Sequence, residues 1–299
     1  MPKPFANTVL LGAGGMLGRC WTSRGENSPL LGSIVGLSRK QCDLTRPDEL
    51  RSAIPPETRL VINAAAYTNV DAAEENEDVA TQINGYAVGR LADHCRSIGA
   101  TLVHYSTDYV FNGRASIPYL TDQPRDPINA YGRSKAVGEE LLEQSGCDSL
   151  LIRSSWLYAP HSKNFVRTIA RACQNNPTLR VVNDQVGRPT SAQNLVVNTL
   201  RLLDVGARGV HHLCDDGQCT WFDFARAIVK RVNPDCQVQP CPTSAYPRAA
   251  KRPAYSVLDL SRSIDAIGEI QPWNTALSDV LDHLTKQSTQ TKTDQLDIP

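Results

Sequence analysis

The sequence lacks an excess of charge of either sign: 31 Lys and Arg residues balance 31 Asp and Glu residues among its 299 residues. A chain without net charge has no overall field that would attract a polyanion. We therefore expect no nucleic-acid partner and no binding to an anionic membrane.

Long apolar runs are also missing. The first 15 residues, MPKPFANTVLLGAGG, contain one lysine, two prolines and a short apolar run, far below the ~18 residues of a membrane span. This segment is unlike a signal peptide. The nine cysteines are an odd number and are scattered along the chain, which favours reduced thiols over a disulfide framework. These features predict a soluble, cytoplasmic protein.

The first two thirds of the sequence alternate short apolar runs with longer helical patterns. The runs lie at Thr8–Leu11, Ser33–Leu37, Leu60–Asn63, Thr101–Ser106 and Ser149–Arg153, and the helical patterns at Met16–Arg24, Asp48–Ala53, Ala72–Ile98 and Ala130–Gln144. Parallel strands need a crossover connection, so this alternation predicts an α/β fold with a Rossmann-type doubly wound parallel sheet. The length suits one large domain or two that share an interface.

The pattern loosens after Arg153. Helices are predicted at Asn164–Gln174, Ser191–Leu203, Trp221–Val232 and Thr275–Thr285, separated by loops that carry proline and glycine. We interpret residues 1–155 as the sheet domain and residues 156–285 as mainly a smaller α/β lobe that supplies one wall of a cleft, with some segments returning to the sheet domain. The polar residues 286–299 are interpreted as a flexible tail.

A glycine-rich turn, LLGAGGMLG, follows the first predicted strand and opens the first helix. Gly12 permits a tight turn, Gly15 lets the backbone approach a pyrophosphate, and Gly18 lets helix and strand pack closely. The spacing is G-x-x-G-x-x-G, since Leu17 stands where the last glycine of G-x-G-x-x-G would be. The helix N-terminus also favours phosphate. We predict dinucleotide contacts from Gly12, Gly14, Gly15, Met16 and Leu17. The alternative is a tight turn that binds no ligand.

The end of the second predicted strand favours NADPH over NADH. NAD-specific sites place Asp or Glu there to hold the ribose 2′-hydroxyl, whereas this strand continues as Leu37-Ser38-Arg39-Lys40. No acid is present, and a basic pair suits a 2′-phosphate. We predict cofactor contacts from Ser38 and Arg39, with NADH as a possible second cofactor. The alternative is a solvated basic turn.

Further cofactor contacts are predicted after the second strand and at the end of the third. Ligands of open α/β sheets bind at the carboxyl edge, and small residues there leave room for them. The alternative is that the alanines serve packing only. The predicted contacts are Asp43, Leu44, Asn63, Ala64 and Ala65.

Three residues predict proton-transfer chemistry. Thr107 ends the fourth strand, and Tyr131 and Lys135 lie about one helical turn apart in NAYGRSKAVGEELL. Reduction of a ketone by hydride requires a proton at the oxygen, which a phenol can supply if its pKa falls from ~10 towards the working pH. Lys135 would favour the phenolate and hold the cofactor ribose, while Thr107 would hydrogen-bond the carbonyl oxygen. Each residue alone is common; together and in this order they indicate a reductase.

These motifs resemble the extended short-chain dehydrogenase/reductase family, whose Y-x-x-x-K pair appears here as Tyr131 and Lys135. A narrower resemblance is to the dTDP-4-dehydrorhamnose reductases. It rests on segments that occur in order along most of the chain: AAYTNVDAAE, STDYVFNG, YGRSKAVGE, RSSWLYAP, NDQVGRPTSA and RPAYSVLD. The resemblance implies NADPH-dependent reduction of the 4-keto group of dTDP-4-dehydro-L-rhamnose to dTDP-L-rhamnose. The sheet domain would then bind NADP(H) and the lobe a nucleotide sugar.

The same resemblance implies residue roles. Thr107, Tyr131 and Lys135 would form the catalytic set. Asp108 and Tyr109 would line the sugar pocket together with Thr107, and Trp156 would pack against the sugar nucleotide. The alternative for Trp156 is an aromatic residue of the core.

Metal binding is not expected. Some members of the family hold magnesium at a dimer interface through a glutamate in the first helix, but LGRCWTSRG has no acid before Glu26. We predict a metal-independent monomer or homodimer. A zinc site is the alternative use of a cysteine and histidine group whose C-x4-C spacing is looser than C-x2-C. Its members are His211, His212, Cys214, Cys219, Cys236 and Cys241.

Two other functions fit the same motifs. One is the reduction of a different dTDP-keto-sugar. The other is a non-catalytic role, as in the regulatory beta subunit of methionine adenosyltransferase, which an intact Thr107, Tyr131 and Lys135 set disfavours.

Overall fold

The computed structural model describes the backbone of residues 5–293 and the side chains of residues 5–284. Its strands are β1 (Phe5–Leu11), β2 (Leu31–Leu37), β3 (Leu60–Asn63), β4 (Thr101–Thr107), β5 (Ser149–Ser154), β6 (Leu157–Tyr158), β7 (Thr178–Val182), β8 (Val186–Gly187), β9 (Thr190–Ser191), β10 (Gly209–His212), β11 (Cys219–Thr220) and β12 (Gln237–Cys241).

The α-helices cross over between these strands or pack beside them. They are α1 (Met16–Gly25), α2 (Pro47–Ala53), α3 (Val70–Glu75), α4 (Glu77–Thr81), α5 (Ala87–Ile98), α6 (Ala130–Ser145), α7 (Phe165–Asn175), α8 (Ala192–Asp204), α9 (Trp221–Val232), α10 (Ser261–Ile267) and α11 (Trp273–Thr293). A π turn, Gln82–Tyr86, joins α4 to α5. No helix within residues 5–293 is long and apolar enough to cross a bilayer.

The main sheet has the strand order β2-β1-β3-β4-β5-β10, and all of its pairs are parallel. This confirms the predicted doubly wound α/β fold. The strand order reverses between β1 and β3, which is where such sheets form a ligand crevice at their carboxyl edge. All seven residues of β4 are buried, because helices cover both faces of the sheet.

Alternate side chains of the strands pack into two separate hydrophobic cores, one on each face of the sheet. Leu10 of β1 packs with Trp21 of α1 and Leu195 of α8 on one face. Val9 of β1 packs with Leu91 of α5 on the other face. The period of two along a strand therefore sorts neighbouring residues into different layers.

The second part of the chain contributes to both the sheet and a smaller lobe. In the lobe, β7 and β12 pair in parallel, and α7, α9 and α11 pack around an apolar cluster that includes Val166, Phe224 and Leu277. By contrast, β10 joins the edge of the main sheet beside β5, and α8 packs on its face.

Three features differ from the predicted elements. The single helix predicted over Ala72–Ile98 is broken, because Asn76 leaves the helical region (φ −129°, ψ 42°) and the π turn follows. The strands β6 to β12 and the helix α10 were not predicted, since short segments such as GVHH do not show a period. The last helix, α11, runs to Thr293, and the rest of the expected tail, 294–299, lies outside the described residues.

Candidate active site

A cleft of about 850 Å³ lies at the carboxyl edge of the sheet, between the strand ends and the smaller lobe. It begins at the glycine turn after β1 and ends where β4, α6 and β5 meet. The sheet brings together most of the residues predicted from the sequence. Those that line the cleft are Gly12, Gly14, Gly15, Met16, Leu17, Ser38, Arg39, Asp43, Leu44, Ala64, Ala65, Thr107, Asp108, Tyr131, Lys135 and Trp156.

The glycine turn brings its backbone into close contact with neighbouring backbone atoms. Gly12 has φ +78°, and a Cβ on it would lie 2.7 Å from the backbone nitrogen of Ala65. A Cβ on Gly18 would lie 2.1 Å from the carbonyl oxygen of Gly12, so only glycine lets α1 pack against the turn. The N-cap of α1, Gly15, has no side chain to occupy the first free N–H groups. The turn therefore fits the pyrophosphate of a dinucleotide.

The far end of the cleft carries the basic residue expected to select the cofactor. The Arg39 side chain is 78% exposed, and its Nε lies 3.5 Å from Asp43 Oδ2. Hydrogen bonds from Thr45 are the main cause that lowers the pKa of Asp43, so this carboxylate is charged and orients the guanidinium. The remaining donors of Arg39 are free to meet a phosphate at the end of β2.

At the reacting end, α6 begins beside the end of β4. Asn129 caps the helix by accepting a hydrogen bond from the Gly132 N–H at 2.7 Å, which sets the first turn that carries Tyr131. Thr107 ends β4; its hydroxyl donates to Asp108 Oδ1 at 3.0 Å and accepts from the Tyr109 N–H at 3.1 Å. The short turn after the strand thus fixes the Thr107 hydroxyl at the cleft.

Asp108 carries an unusual carboxyl group. Burial raises its pKa to about 7, although hydrogen bonds from Ser256 and Thr107 act in the opposite direction. Near neutral pH both protonation states are therefore accessible, and the protonated form can donate as well as accept hydrogen bonds.

The environment of Tyr131 differs from the prediction. Burial and the nearby Asp108 raise the pKa of Tyr131 to about 12, while hydrogen bonding with Thr107 lowers it. The sequence predicted that Lys135 would lower this pKa. Instead, Lys135 Nζ donates to the carbonyl oxygen of Tyr105 at 2.6 Å. The phenol is consequently protonated in the ligand-free protein, which is the form that a proton donor requires.

Lys135 is 1% exposed. Burial lowers the pKa of its amine to about 8, and the charge of Glu139 acts against this. Its Nζ also lies 3.4 Å from His104 Nε2. Its pKa therefore lies well below that of an exposed lysine.

Two predicted contact residues do not line the cleft. Asn63 is buried because its amide pairs with His104 and with the Ala65 N–H behind the surface. Tyr109 packs its ring edge-on against Tyr131, with 6.1 Å between ring centroids. Both contact residues that line the cleft, and their own contacts with a ligand remain predictions.

Trp156 has features of both readings suggested by the sequence. Its ring stacks on Trp221 at 3.6 Å, next to the apolar cluster of the lobe, and it also lines the cleft. Its backbone has φ +47°, a conformation that costs energy for a bulky residue and that clusters at functional sites. The Trp221 stack holds the indole in place at the wall of the cleft.

Several lining residues were missed. Ser154 and Ser155 lie at the carboxyl end of β5. They could have been predicted, because ligands of parallel sheets bind at the carboxyl ends of the strands. Ser162 and Lys163 come from the loop after β6, which reaches α1 through a hydrogen bond from His161 to the Met16 carbonyl at 3.1 Å. No pattern in the sequence predicts that loop contact.

The zinc alternative does not assemble. Cys214 lies in the core beneath the sheet, where its Sγ is 3.3 Å from the Ser155 hydroxyl, whereas Cys219 and Cys236 lie in the apolar cluster of the lobe. Among the described residues, no three His, Cys, Asp or Glu side chains are grouped to hold a metal ion. These cysteines contribute to packing instead.

A glycine turn for a dinucleotide at one end of the cleft, and a Thr, Tyr and Lys set at the other, define an α/β oxidoreductase that uses a nicotinamide cofactor. A family model, the RmlD substrate binding domain, matches residues 6–286. The chain belongs to this family.

Similar proteins agree with this assignment. A dTDP-4-dehydrorhamnose reductase of Burkholderia thailandensis is 39% identical, with 90% of this chain and 96% of that protein covered. A dTDP-4-keto-6-deoxy-D-glucose reductase of Streptomyces niveus is 37% identical, with 90% and 94% covered. A crystal structure of dTDP-4-dehydrorhamnose reductase from Bacillus anthracis in complex with NADP has a TM-score of 0.88 and 31% identity, covering 93% of this chain and 99% of that one.

Proposed function

We propose that the protein reduces the 4-keto group of dTDP-4-dehydro-L-rhamnose to give dTDP-L-rhamnose, with NADPH as the reductant. The observation that carries the proposal is the cleft in which Thr107, Tyr131 and Lys135 meet at the end opposite Arg39. Relatives with that named activity, and one solved with NADP, support the substrate and the cofactor.

The residues of the first half of the cleft fit the cofactor. The backbone from Gly12 to Leu17 would hold the pyrophosphate, and Ser38 with Arg39 would hold the 2′-phosphate. Ala64 and Ala65 leave room beside them at the switch point of the sheet. When bound, the nicotinamide supplies the hydride for the carbonyl carbon.

The residues of the second half supply the proton. The hydroxyls of Thr107 and Tyr131 would hydrogen-bond the substrate carbonyl oxygen, and the Tyr131 phenol would transfer its proton as the alcohol forms. Burial and Asp108 raise the pKa of Tyr131 to about 12 in the ligand-free protein, so the donor is protonated before substrate arrives. Efficient proton transfer then requires that this pKa fall when cofactor and substrate are bound. Lys135 would hold the ribose of the cofactor from the same face of α6.

The remaining polar and aromatic groups would bind the sugar nucleotide. Asp108 can hydrogen-bond a sugar hydroxyl in either protonation state, and Trp156 offers a fixed ring face to the nucleotide or the sugar. Tyr109 would act indirectly, by packing against Tyr131.

The test is NADPH oxidation by the purified protein in the presence of dTDP-4-dehydro-L-rhamnose, with identification of the product sugar. We expect turnover, and a higher kcat/KM for NADPH than for NADH because Arg39 stands where an NAD site has an acid. A clear preference for NADH would contradict the role of Arg39. Absence of turnover in a protein that binds NADPH would contradict the substrate.

The second candidate is the reduction of another dTDP-linked keto sugar. The 37% identical relative named for dTDP-4-keto-6-deoxy-D-glucose favours it. The same assay with that sugar nucleotide, compared by kcat/KM, separates the two activities. The substrate with the higher value is the one for which the pocket is built.

Trp156 provides a test of the substrate-binding wall. Trp156→Ala is expected to raise the KM for the sugar nucleotide roughly tenfold while leaving the Kd for NADPH unchanged, because an aromatic stacking face is lost. Trp273→Ala is the matched control, since Trp273 packs edge-on against Phe224 in the lobe and does not line the cleft. An unchanged KM with a lower Tm for Trp156→Ala would assign the residue to the core alone.

We infer that the enzyme works as a monomer or homodimer in the reducing environment of the cytoplasm. All nine cysteines are free, and eight of them are buried. Free thiols in this number suit a compartment in which disulfides do not form.

A further inference from the structure

A row of buried polar side chains leads from β3 to the amine of Lys135. Asn63 and His104 are register partners in the parallel pair β3 and β4, so their side chains lie side by side. Asn63 Nδ2 lies 3.1 Å from His104 Nδ1, and His104 Nε2 lies 3.4 Å from Lys135 Nζ. The three side chains are each 1% exposed or less, so they are shielded from bulk solvent.

The direction of these hydrogen bonds is determined at the first residue. The Ala65 backbone N–H lies 3.1 Å from Asn63 Oδ1, and a backbone N–H can only donate. The amide oxygen of Asn63 must therefore face Ala65, and its NH₂ group must face His104. A neutral imidazole that accepts at Nδ1 carries its proton on Nε2.

The tautomer of His104 affects the protonation state of Lys135. Burial alone lowers the pKa of His104 well below its usual range, and the charge of Lys135 acts in the same direction whenever the amine is protonated, so the imidazole stays neutral in both states of the lysine. Its Nε2–H then points at the lysine nitrogen. An ammonium group has only donors and would place N–H against N–H, whereas a neutral amine has a lone pair that accepts. In either state Lys135 also donates to the Tyr105 carbonyl.

We propose that Asn63 and His104 are positioning residues that act through Lys135: they hold an N–H group against its amine and so favour the neutral amine in the ligand-free enzyme. The inference rests on the proposed role of Lys135 at the cofactor ribose. Ribose hydroxyl oxygens accept hydrogen bonds, so cofactor binding would favour proton uptake by this lysine. A group whose pKa is higher in the bound state than in the free state couples cofactor affinity to pH.

The other charged groups near Lys135 do not favour its neutral form. Glu139 lies one turn further along α6, and its charge raises the pKa of Lys135. That carboxylate is shared with Arg153 at 2.7 Å and Arg125 at 3.1 Å, which limits its pull on the lysine. From β4, the titratable group that faces the amine is His104.

The first test is made on the unaltered, ligand-free protein, so its result does not depend on which sugar is reduced. Imidazole ¹⁵N NMR shifts report the tautomer of each histidine, and a Lys135→Met variant assigns the ¹³Cε signal of Lys135. We expect His104 to remain neutral with its proton on Nε2 between pH 5 and 9, and Lys135 to titrate near pH 8. A proton on Nδ1, or a lysine that titrates near ~10.4, would overturn the proposal.

The second test removes the side chain that fixes the His104 tautomer, and it adds no charge. In Asn63→Ala, His104 is free to carry its proton on Nδ1 and to accept at Nε2 from the Lys135 ammonium. The titration of Lys135 is expected to move up by about one pH unit. Asn84→Ala is the matched control: Asn84 is equally buried and donates to Ser134 Oγ at 2.9 Å. It should lower Tm while leaving the Lys135 titration in place. An Asn63→Ala protein with the original tautomer and titration would refute the mechanism.

Discussion

Replacing Tyr131 with phenylalanine is expected to lower kcat for the keto sugar by about 10²–10⁴-fold, with little change in the Kd for NADPH. The ring and its packing would be retained, and only the hydroxyl that meets Thr107 would be lost. Because burial and Asp108 raise the pKa of Tyr131 to about 12, the wild-type donor is fully protonated at neutral pH. Single-turnover NADPH oxidation measures the chemical step directly.

The neighbouring phenol provides the control. Tyr109 lies edge-on to Tyr131, and burial together with the charge of Asp108 raises its pKa as well, yet it does not line the cleft. Tyr109→Phe should therefore keep kcat within a few fold of wild type. Equal losses in the two variants would show that packing around α6, rather than proton donation, limits the reaction.

Much of the site could be predicted because strand ends at one edge of a parallel sheet meet. The glycine turn follows β1, and Ala64 and Ala65 follow β3, so they had to converge once the sheet was inferred. Thr107 at the end of β4 and Tyr131 at the start of α6 follow the same logic. Local spacing and strand order together were enough to place these residues in one cleft.

Other properties depend on distances that spacing does not encode. The Tyr131 to Lys135 spacing suggested that the amine would lower the pKa of the phenol, but the amine turns towards the Tyr105 carbonyl. Asn63, a predicted cofactor contact, pairs its buried amide with its cross-strand neighbour His104, which the sequence did not indicate. Both outcomes depend on which buried polar atoms lie close enough to form hydrogen bonds. The sequence does not show these distances.

The helix α6 carries three functional polar side chains on one face. Tyr131, Lys135 and Glu139 recur every four residues, so all three face the sheet. The first faces the cleft, the second faces His104, and the third is buried against Arg153. The buried carboxylate of Glu139 needs a positive charge beside it inside the fold.

Arg153 supplies that counter-charge, and Arg153→Met is expected to lower the free energy of unfolding by about 3–5 kcal/mol. Arg153 Nη2 lies 2.7 Å from Glu139 Oε2, and its Nε lies 3.0 Å from Oε1; the two side chains are 2% and 0% exposed. The variant would leave a buried carboxylate with Arg125 as its remaining ion-pair partner. Urea unfolding measures the loss.

Two controls separate this effect from the loss of any arginine. Arg133→Met breaks the pair with Glu77, which also has N–O distances of 2.7 Å but is about 40% exposed on both sides, and should cost less than about 1 kcal/mol. The double variant Arg153→Met with Glu139→Leu removes both charges and should recover most of the stability. If the double variant were as unstable as Arg153→Met, the other contacts of Arg153 would be the cause, since it also lies over the Phe111 ring and donates to the Thr121 carbonyl.

The pH dependence of stability tests the same pair independently. Burial alone would raise the pKa of Glu139, but the hydrogen bonds and charge of Arg153 outweigh it and hold that pKa below its usual range. A carboxyl whose folded pKa is lowered stabilises the fold above its unfolded pKa of ~4.3, and this contribution is lost as pH falls through the folded value. In Arg153→Met the folded pKa of Glu139 should instead rise, so protonation would favour the folded state. The gap in unfolding free energy between wild type and Arg153→Met should therefore be widest near neutral pH and shrink as the pH falls below about 4. A gap that stayed constant across this range would mean that Glu139 is not the group left unpaired.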